Sequence, residues 1–270
     1  MFVSRQACNL LLDRGDVLSI VAPHVGNGPF SIVLDDLVDL PIQARADYRM
    51  ALTHEGLYLD RFRIDLERAQ TWEPRPDWDD IGKQLDRIRS SLPLVCQLIA
   101  REGTASAFAP LLGLPGSRDT LAEPILDRAR GAIEDLRAGW AGTSEKLLRG
   151  ASVLAGLGTG LTPAGDDFLV GVMLWSWVAH PMPGQFCQDV LCASAARTTA
   201  LSAAFLRAAS RGECSAPWQA LLSALQAADP ASIAAAVREI MHRGASSGAD
   251  ALLGFLCLPL EIDRPSSGAG

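Results

Sequence analysis

Histidine is scarce in this chain, with four in 270 residues, and so is tyrosine, with two. None of the histidines stands in zinc-type spacing with the six cysteines, Cys8, Cys96, Cys187, Cys192, Cys214 and Cys257, and no CxxC pair occurs. Most of these cysteines have apolar neighbours, so buried reduced thiols are expected instead of a zinc site. Positive charge is short as well: 24 lysines and arginines face 31 aspartates and glutamates, a net charge of −7. That balance argues against a nucleic-acid surface, although local basic pockets are compatible with it. Long apolar runs are missing. The longest, residues 168–179, falls well short of the ~20 residues that cross a bilayer. Residues 1–6 show no charged region followed by an apolar core, so no signal peptide is read there. The expectation is a cytoplasmic protein with no membrane and no nucleic-acid partner.

What the chain does have is apolar bulk, 49% of residues against 20% charged, at a length that buries a sizeable core. The alanine-rich second half has the composition of a packed helical protein. The front differs. Residues 17–22 and 30–34 are short β-branched and apolar runs separated by the turn cluster 24–29, which carries His24 and Asn27, and together they read as a hairpin. Residues 57–66 follow, with Tyr58, Phe62, Ile64 and Leu66 on one face of a strand and charged residues on much of the other.

The proline-rich stretch 72–78 continues neither strand nor helix and marks a boundary. Beyond it Ile81, Leu85, Ile88 and Leu92 recur at helical spacing, Pro93 interrupts, and 94–101 resumes as a second helix. Residues 113–117 make a turn, and 121–136 place Ile125, Ala129, Ile133 and Leu136 on one helix face. Further helices are expected over 146–154, from about 185 to 209 as one long helix, and over 218–228, 231–242 and 251–258. The expected fold class is α+β. An N-terminal antiparallel β domain, a small barrel or sandwich, spans 1–72; a mainly α-helical domain spans 78–262, and a loose tail covers 263–270.

The stretch Gly156-Leu157-Gly158-Thr159-Gly160-Leu161-Thr162-Pro163-Ala164-Gly165-Asp166-Asp167 concentrates special residues. Four glycines in ten positions permit φ > 0 and leave N–H groups uncovered by Cβ atoms. Thr162 reads as an N-cap and Pro163 as the first residue of a helix running through 168–179. A helix start carries unpaired donors and partial positive charge, so the loop is a candidate cradle for a phosphate or carboxylate. Asp166 and Asp167 would complement the same dipole, hold a bridging cation or act on a substrate proton. No Gly-Lys-Ser/Thr follows, which excludes a Walker A loop, and the motif joins two helices, which argues against a dinucleotide fingerprint. A tight helix entry with no ligand is the plainer alternative.

Residues 244–250 repeat the order. Gly244, Ser246 and Asp250 match Gly160, Thr162 and Asp166 at the same offsets, again before an apolar helical run. Two such helix starts would converge on one anion, or are two ordinary caps. In the helix expected over 185–209, Arg197, Thr198, Thr199 and Ser202 form a polar cluster that would line the pocket beneath the loop, with Arg197 as an anion partner. The other reading is a set of hydroxyls bonding back to the preceding turn.

Residues 156–171 resemble the hallmark of the AllH-like family, and 244–250 resemble its second motif; a strand-rich front and helical rear agree. The chain has Thr159 where relatives often carry proline and Ala249 where an aromatic residue is usual. The family's named member is a subunit of oxamate carbamoyltransferase, which in purine and allantoin breakdown interconverts oxalurate and phosphate with oxamate and carbamoyl phosphate. The resemblance implies a role in such chemistry beside FdrA-like and AllG-like subunits, and self-association is compatible with it. It carries over no catalytic residues.

On the physical reading, Asp166, Asp167 and Asp250 are the candidate catalytic groups. Gly158, Thr159, Gly160, Thr162, Gly165, Arg197, Ser246, Ser247 and Gly248 are the candidate contacts to a small anion. Mg²⁺ would suit the carboxylates as a cofactor, with no metal ligand set identified. A non-catalytic structural or regulatory subunit is the alternative, and a metal-dependent hydrolase built on the aspartates ranks below it.

Overall fold

The computed structural model describes residues 2–3, 7–13, 15–36, 50–59, 62–103, 106, 108–114 and 123–260. The chain divides into two compact units, Met1–Pro74 and Arg75–Gly270. The first contains a four-stranded sheet, β1 (Phe2–Val3), β2 (Ala7–Leu11), β3 (Val17–Val21) and β4 (Ser31–Val33) in that order. It also contains a three-stranded sheet, β5 (Met50–Leu52), β6 (Gly56–Leu59) and β7 (Phe62–Asp65). Alternation explains β2, where Cys8 and Leu10 are buried while Asn9 turns to the other face and accepts the Ser19 hydroxyl of β3 at 2.5 Å.

Among the described residues, neither sheet closes into a barrel. Cys8, Leu10 and Ile20 of the first and Leu57 and Leu59 of the second share one apolar cluster.

The hairpin reading of 17–34 is corrected: β3 and β4 pair in parallel, Ser19 with Ser31 through Val21 with Val33. Residues 22–30 pass through a 3-10 turn at Pro23–Val25 and Gly26 at φ 71°. Nine residues span up to about 30 Å, enough to return past a five-residue strand. The single strand expected over 57–66 is instead the antiparallel pair β6 and β7, with Leu57 opposite Ile64 and Leu59 opposite Phe62. Tyr58 therefore sits on the other face, beneath the Arg63 guanidinium.

In the second unit α1 (Trp78–Lys83) is capped by Asp77, whose carboxylate accepts the Asp80 N–H at 3.0 Å. Helix α2 (Leu85–Glu102) runs through Pro93 without a break, contrary to the sequence expectation. Pro93 and Arg89 both face solvent, so water takes up the carbonyl that loses its partner. Helices α3 (Glu123–Trp140) and α4 (Ser144–Leu154) follow, then α5 (Ala164–Ala179). The turn expected at 113–117 and the tail at 263–270 lie largely or wholly outside the described residues.

The long helix expected over 185–209 is two, α6 (Pro183–Ser194) and α7 (Ala200–Ser210), parted by a 3-10 turn at Ala195–Arg197. Thr199 decides the break. It is extended, at φ −69° and ψ 157°, and its hydroxyl accepts the Ser202 N–H at 3.1 Å, so capping wins over helix continuation in an alanine-rich stretch. Helices α8 (Ala216–Ala227), α9 (Pro230–Met241) and α10 (Ser247–Leu256) complete the unit.

Two apolar clusters fill it, and α5 belongs to both. Phe168, Leu169, Val172 and Met173 pack with α3, α4, α6 and α7, while Leu174, Trp175 and Val178 pack with α1, α2, α8, α9 and α10. That is why α5 is apolar all round. Its most extensive contact is with α10. Gly171 meets the Ala251 carbonyl, and Gly254 meets the Phe168 carbonyl, so closely that an added Cβ at either would overlap the oxygen. This approach holds the starts of α5 and α10 side by side.

Candidate functional site

The glycine loop leaves α4 at Gly156, whose φ of 71° and position 2.6 Å (as an added Cβ) from the Arg197 carbonyl oxygen exclude a side chain. Gly158 and Gly160 also have positive φ, 121° and 93°. Among the described residues, no backbone N–H from Gly158 to Thr162 has a partner within the chain. Thr159 and Gly160 are exposed, so solvent reaches this part of the loop. Positive-φ residues set between others let successive N–H groups gather into a concave donor array.

Thr162 does not cap α5. The N-cap is Pro163, at φ −53° and ψ 142°, one residue later than expected. The Thr162 hydroxyl lies instead 2.9 Å from the Ser247 hydroxyl, the first residue of α10. The two helix starts anticipated from the repeated motif do meet. Thr199 adds a tether, its hydroxyl donating to the Leu161 carbonyl at 2.6 Å.

Beneath this rim lie the three acids. Asp166 is 1% exposed, and both of its oxygens are engaged: one accepts the Gly156 N–H at 2.9 Å, the other the Thr198 hydroxyl. It ties the loop to the entry of α7. Asp250 is fully buried, at 0% exposed; its Oδ1 accepts the Ser106 hydroxyl, and its Oδ2 has no partner. Asp167 Oδ2 is likewise buried and unpartnered.

Burial pushes the Asp167 carboxyl up to about 8; the hydroxyls of Ser247 and Thr162 oppose the shift, and the neighbouring charges of Asp250 and Asp166 add to it. Burial raises Asp250 to about 6 against the hydroxyls of Ser106 and Ser246. Asp166 is also raised by burial, with Thr198 and the Gly156 N–H opposing. Burial thus favours the protonated form at both acids, more strongly at Asp167.

The remaining sequence candidates divide. Gly165 and Gly248 serve close packing, against the carbonyls of Leu154 and Ile240 respectively, and the Gly165 N–H is occupied by the Leu157 carbonyl at 2.8 Å. Ser246 is the N-cap of α10. Arg197 contributes its backbone next to Gly156, but its exposed side chain lines a separate surface cleft of ≈ 520 Å³ with Leu148, Arg149, Ser152, Cys192 and Ala193. Thr198 bonds Asp166 directly, and the Ser202 hydroxyl of the same polar cluster also acts on that carboxyl. Ser106 was not anticipated: it stands 144 positions from Asp250, outside either motif. Among the described residues no three His, Cys, Asp or Glu side chains are grouped to hold a metal ion, and no helix is long and apolar enough to cross a membrane. All six cysteines are free thiols.

Fold and site together define an α+β protein whose helical unit brings two helix starts, an unpaired donor loop and three acids to one place. Residues 154–258 match the model of the family described as oxamate carbamoyltransferase subunit AllH, and that match supports an AllH-like family for the chain. The matched span takes in the loop, α5, Thr198 and α10; Ser106 precedes it. No solved structure matches this chain.

Proposed function

We propose that the chain is a subunit of an oxamate carbamoyltransferase-like complex and binds a small anion at the paired starts of α5 and α10. The anion would be carbamoyl phosphate, phosphate, oxamate or oxalurate. The observation that carries the reading is the Thr162–Ser247 contact, which joins the two glycine segments inside the family-matched span. The unpaired N–H groups of Gly158 to Thr162 would receive the anion's oxygens. The hydroxyls of Thr162, Ser246 and Ser247 would complete the cradle, and Asp166 would hold the loop in shape.

In the transfer itself a phosphate oxygen attacks the carbamoyl carbon of oxalurate, and the bond from that carbon to the oxamate nitrogen breaks. Charge develops on the carbonyl oxygen, where oriented donors stabilise it. The departing nitrogen takes up a proton, which the Asp167–Asp250 pair would supply; burial raising the Asp167 carboxyl well above its ordinary value supports that role. FdrA-like and AllG-like subunits would complete the assembly.

The test is formation of carbamoyl phosphate from oxalurate and phosphate by the chain alone and mixed with such partners. Turnover is expected only in the mixture, lowered at least about tenfold by Asp167→Asn. Full turnover of the mixture with Asp167→Asn and Thr162→Ala together would remove the assignment. A structural or regulatory subunit is the second reading, favoured by the packing duty of Gly165, Gly171, Gly248 and Gly254. An assembled complex that turns over without binding any of these anions on this chain would establish it.

A further inference from the structure

The surface cleft of ≈ 520 Å³ is formed by α4, α6 and the 3-10 turn Ala195–Arg197, and the anion-site reading makes no use of it. Small-molecule sites run from about 300 to 1,000 Å³, so it has the size of one. Part of its lining is apolar, Leu148 and Ala193, and Leu148 is left 40% exposed. Two guanidiniums belong to the lining, and they differ. Arg149 is committed, held by both oxygens of Asp135 at 2.6 Å each. Among the described residues the Arg197 side chain has no acceptor. In a chain of net charge −7, an open cation beside apolar surface is complemented by an anion with an apolar body.

The same turn meets the glycine loop on its backbone side. The Arg197 carbonyl abuts Gly156, and the Thr198 hydroxyl donates to Asp166, whose other oxygen accepts the Gly156 N–H. The Thr199 hydroxyl donates to the Leu161 carbonyl. Three consecutive residues thus grip the loop, and the first of them lines the cleft.

We infer that the cleft is a second binding site, for a small carboxylate with an apolar body, and that its occupant steadies the glycine loop through residues 197–199. Arg197 holds the carboxylate with its fork of N–H groups, while Leu148 and Ala193 receive the body. Fixing the guanidinium fixes the residue whose carbonyl abuts Gly156 and whose neighbour bonds Asp166, so the state of the cleft is felt at the loop. The site has its own lining and its own readout, and it stands whether or not the helix starts take an anion.

The test uses Cys192, which lines the cleft and is the one exposed thiol of the six. In the full chain its alkylation by iodoacetate and by iodoacetamide is followed by peptide mass; the first reagent carries a carboxylate and the second does not. The ratio of the two rates cancels any change in the thiol itself. It is expected to fall at least about fivefold in Arg197→Gln, the scale of a hydrogen bond to a charged group. Hexanoate is expected to slow iodoacetamide alkylation saturably, and acetate to need at least about tenfold higher concentration, because it lacks the apolar body. Saturating hexanoate is also expected to slow hydrogen exchange at the Gly156 amide about fivefold, and to leave it unchanged in Arg197→Gln. Thermal unfolding checks that the variant is folded.

A rate ratio that survives Arg197→Gln, or alkylation that hexanoate does not slow, would overturn the site. Protection of Cys192 with no change in exchange at Gly156 would overturn the link to the loop. Neither result depends on carbamoyl phosphate formation, which tests the helix starts separately.

Discussion

The hydroxyls of Thr162 and Ser247, 85 positions apart in the chain, lie 2.9 Å from each other and join the loop just before α5 to the first residue of α10. Each hydroxyl is only half-buried, so water can replace either one. A double-mutant cycle with Thr162→Ala and Ser247→Ala is expected to give a coupling of about 0.5–1.5 kcal/mol. Five of the six tryptophans, all but Trp72, lie in the helical unit, so fluorescence in urea follows that unit. Strict additivity would mean that the contact does no more than close a gap.

Asp167 binds its proton more tightly in the folded chain, at about 8, than at its ordinary value of 3.8. Between those limits the folded state holds more protons than the unfolded one, so stability falls as pH rises from about 4 to about 8 and then levels. Asp167→Asn imitates the protonated form. It is expected to stabilise the protein at pH 8, by a few kcal/mol at about 1.4 per pKa unit, and to change little near pH 4. Asp166 and Asp250 slope the same way, so the variant flattens the profile without abolishing it. Parallel profiles for the two proteins, measured by urea unfolding at pH 5 and pH 8, would exclude Asp167 as a source.

Three glycine-to-alanine changes separate packing from propensity. Gly171 and Gly254 have a partner carbonyl where a Cβ would go, whereas Gly131 on the exposed face of α3 has nothing within 4 Å. Gly171→Ala and Gly254→Ala are each expected to cost about 3 kcal/mol or more, because rigid backbone and not a side chain must yield. Gly131→Ala is expected to gain about 0.5–1 kcal/mol from helix propensity alone. Equal effects at all three in unfolding titrations would refute the close approach of α5 and α10.

The α+β order and the pairing of the two glycine segments are legible in the sequence because both rest on local chemistry: positive-φ glycines, a hydroxyl, then an apolar helical run. Thr198 is visible too, as part of a polar group in an apolar stretch. What escapes is set by distance or by competition. Ser106 reaches Asp250 only through the fold, and no nearby residue signals it. The break before α7 is a contest that Thr199 wins over alanine-rich neighbours, and a periodicity count gives no sign of it. Pro93 reads as a stop because proline removes a helix bond, yet on a solvent-facing turn water compensates. The parallel pairing of β3 and β4 likewise depends on where residues 22–30 carry the chain.

Helix α5 answers to two sets of neighbours at once, one cluster on each side, and to α10 along a third line. A residue there is judged twice: a change of shape that one cluster would absorb by shifting its side chains is refused by the other, which has no matching slack. The stretch thus has little freedom to drift, and the residues that open it, Asp166 and Asp167, inherit a fixed platform from constraints that have nothing to do with a ligand.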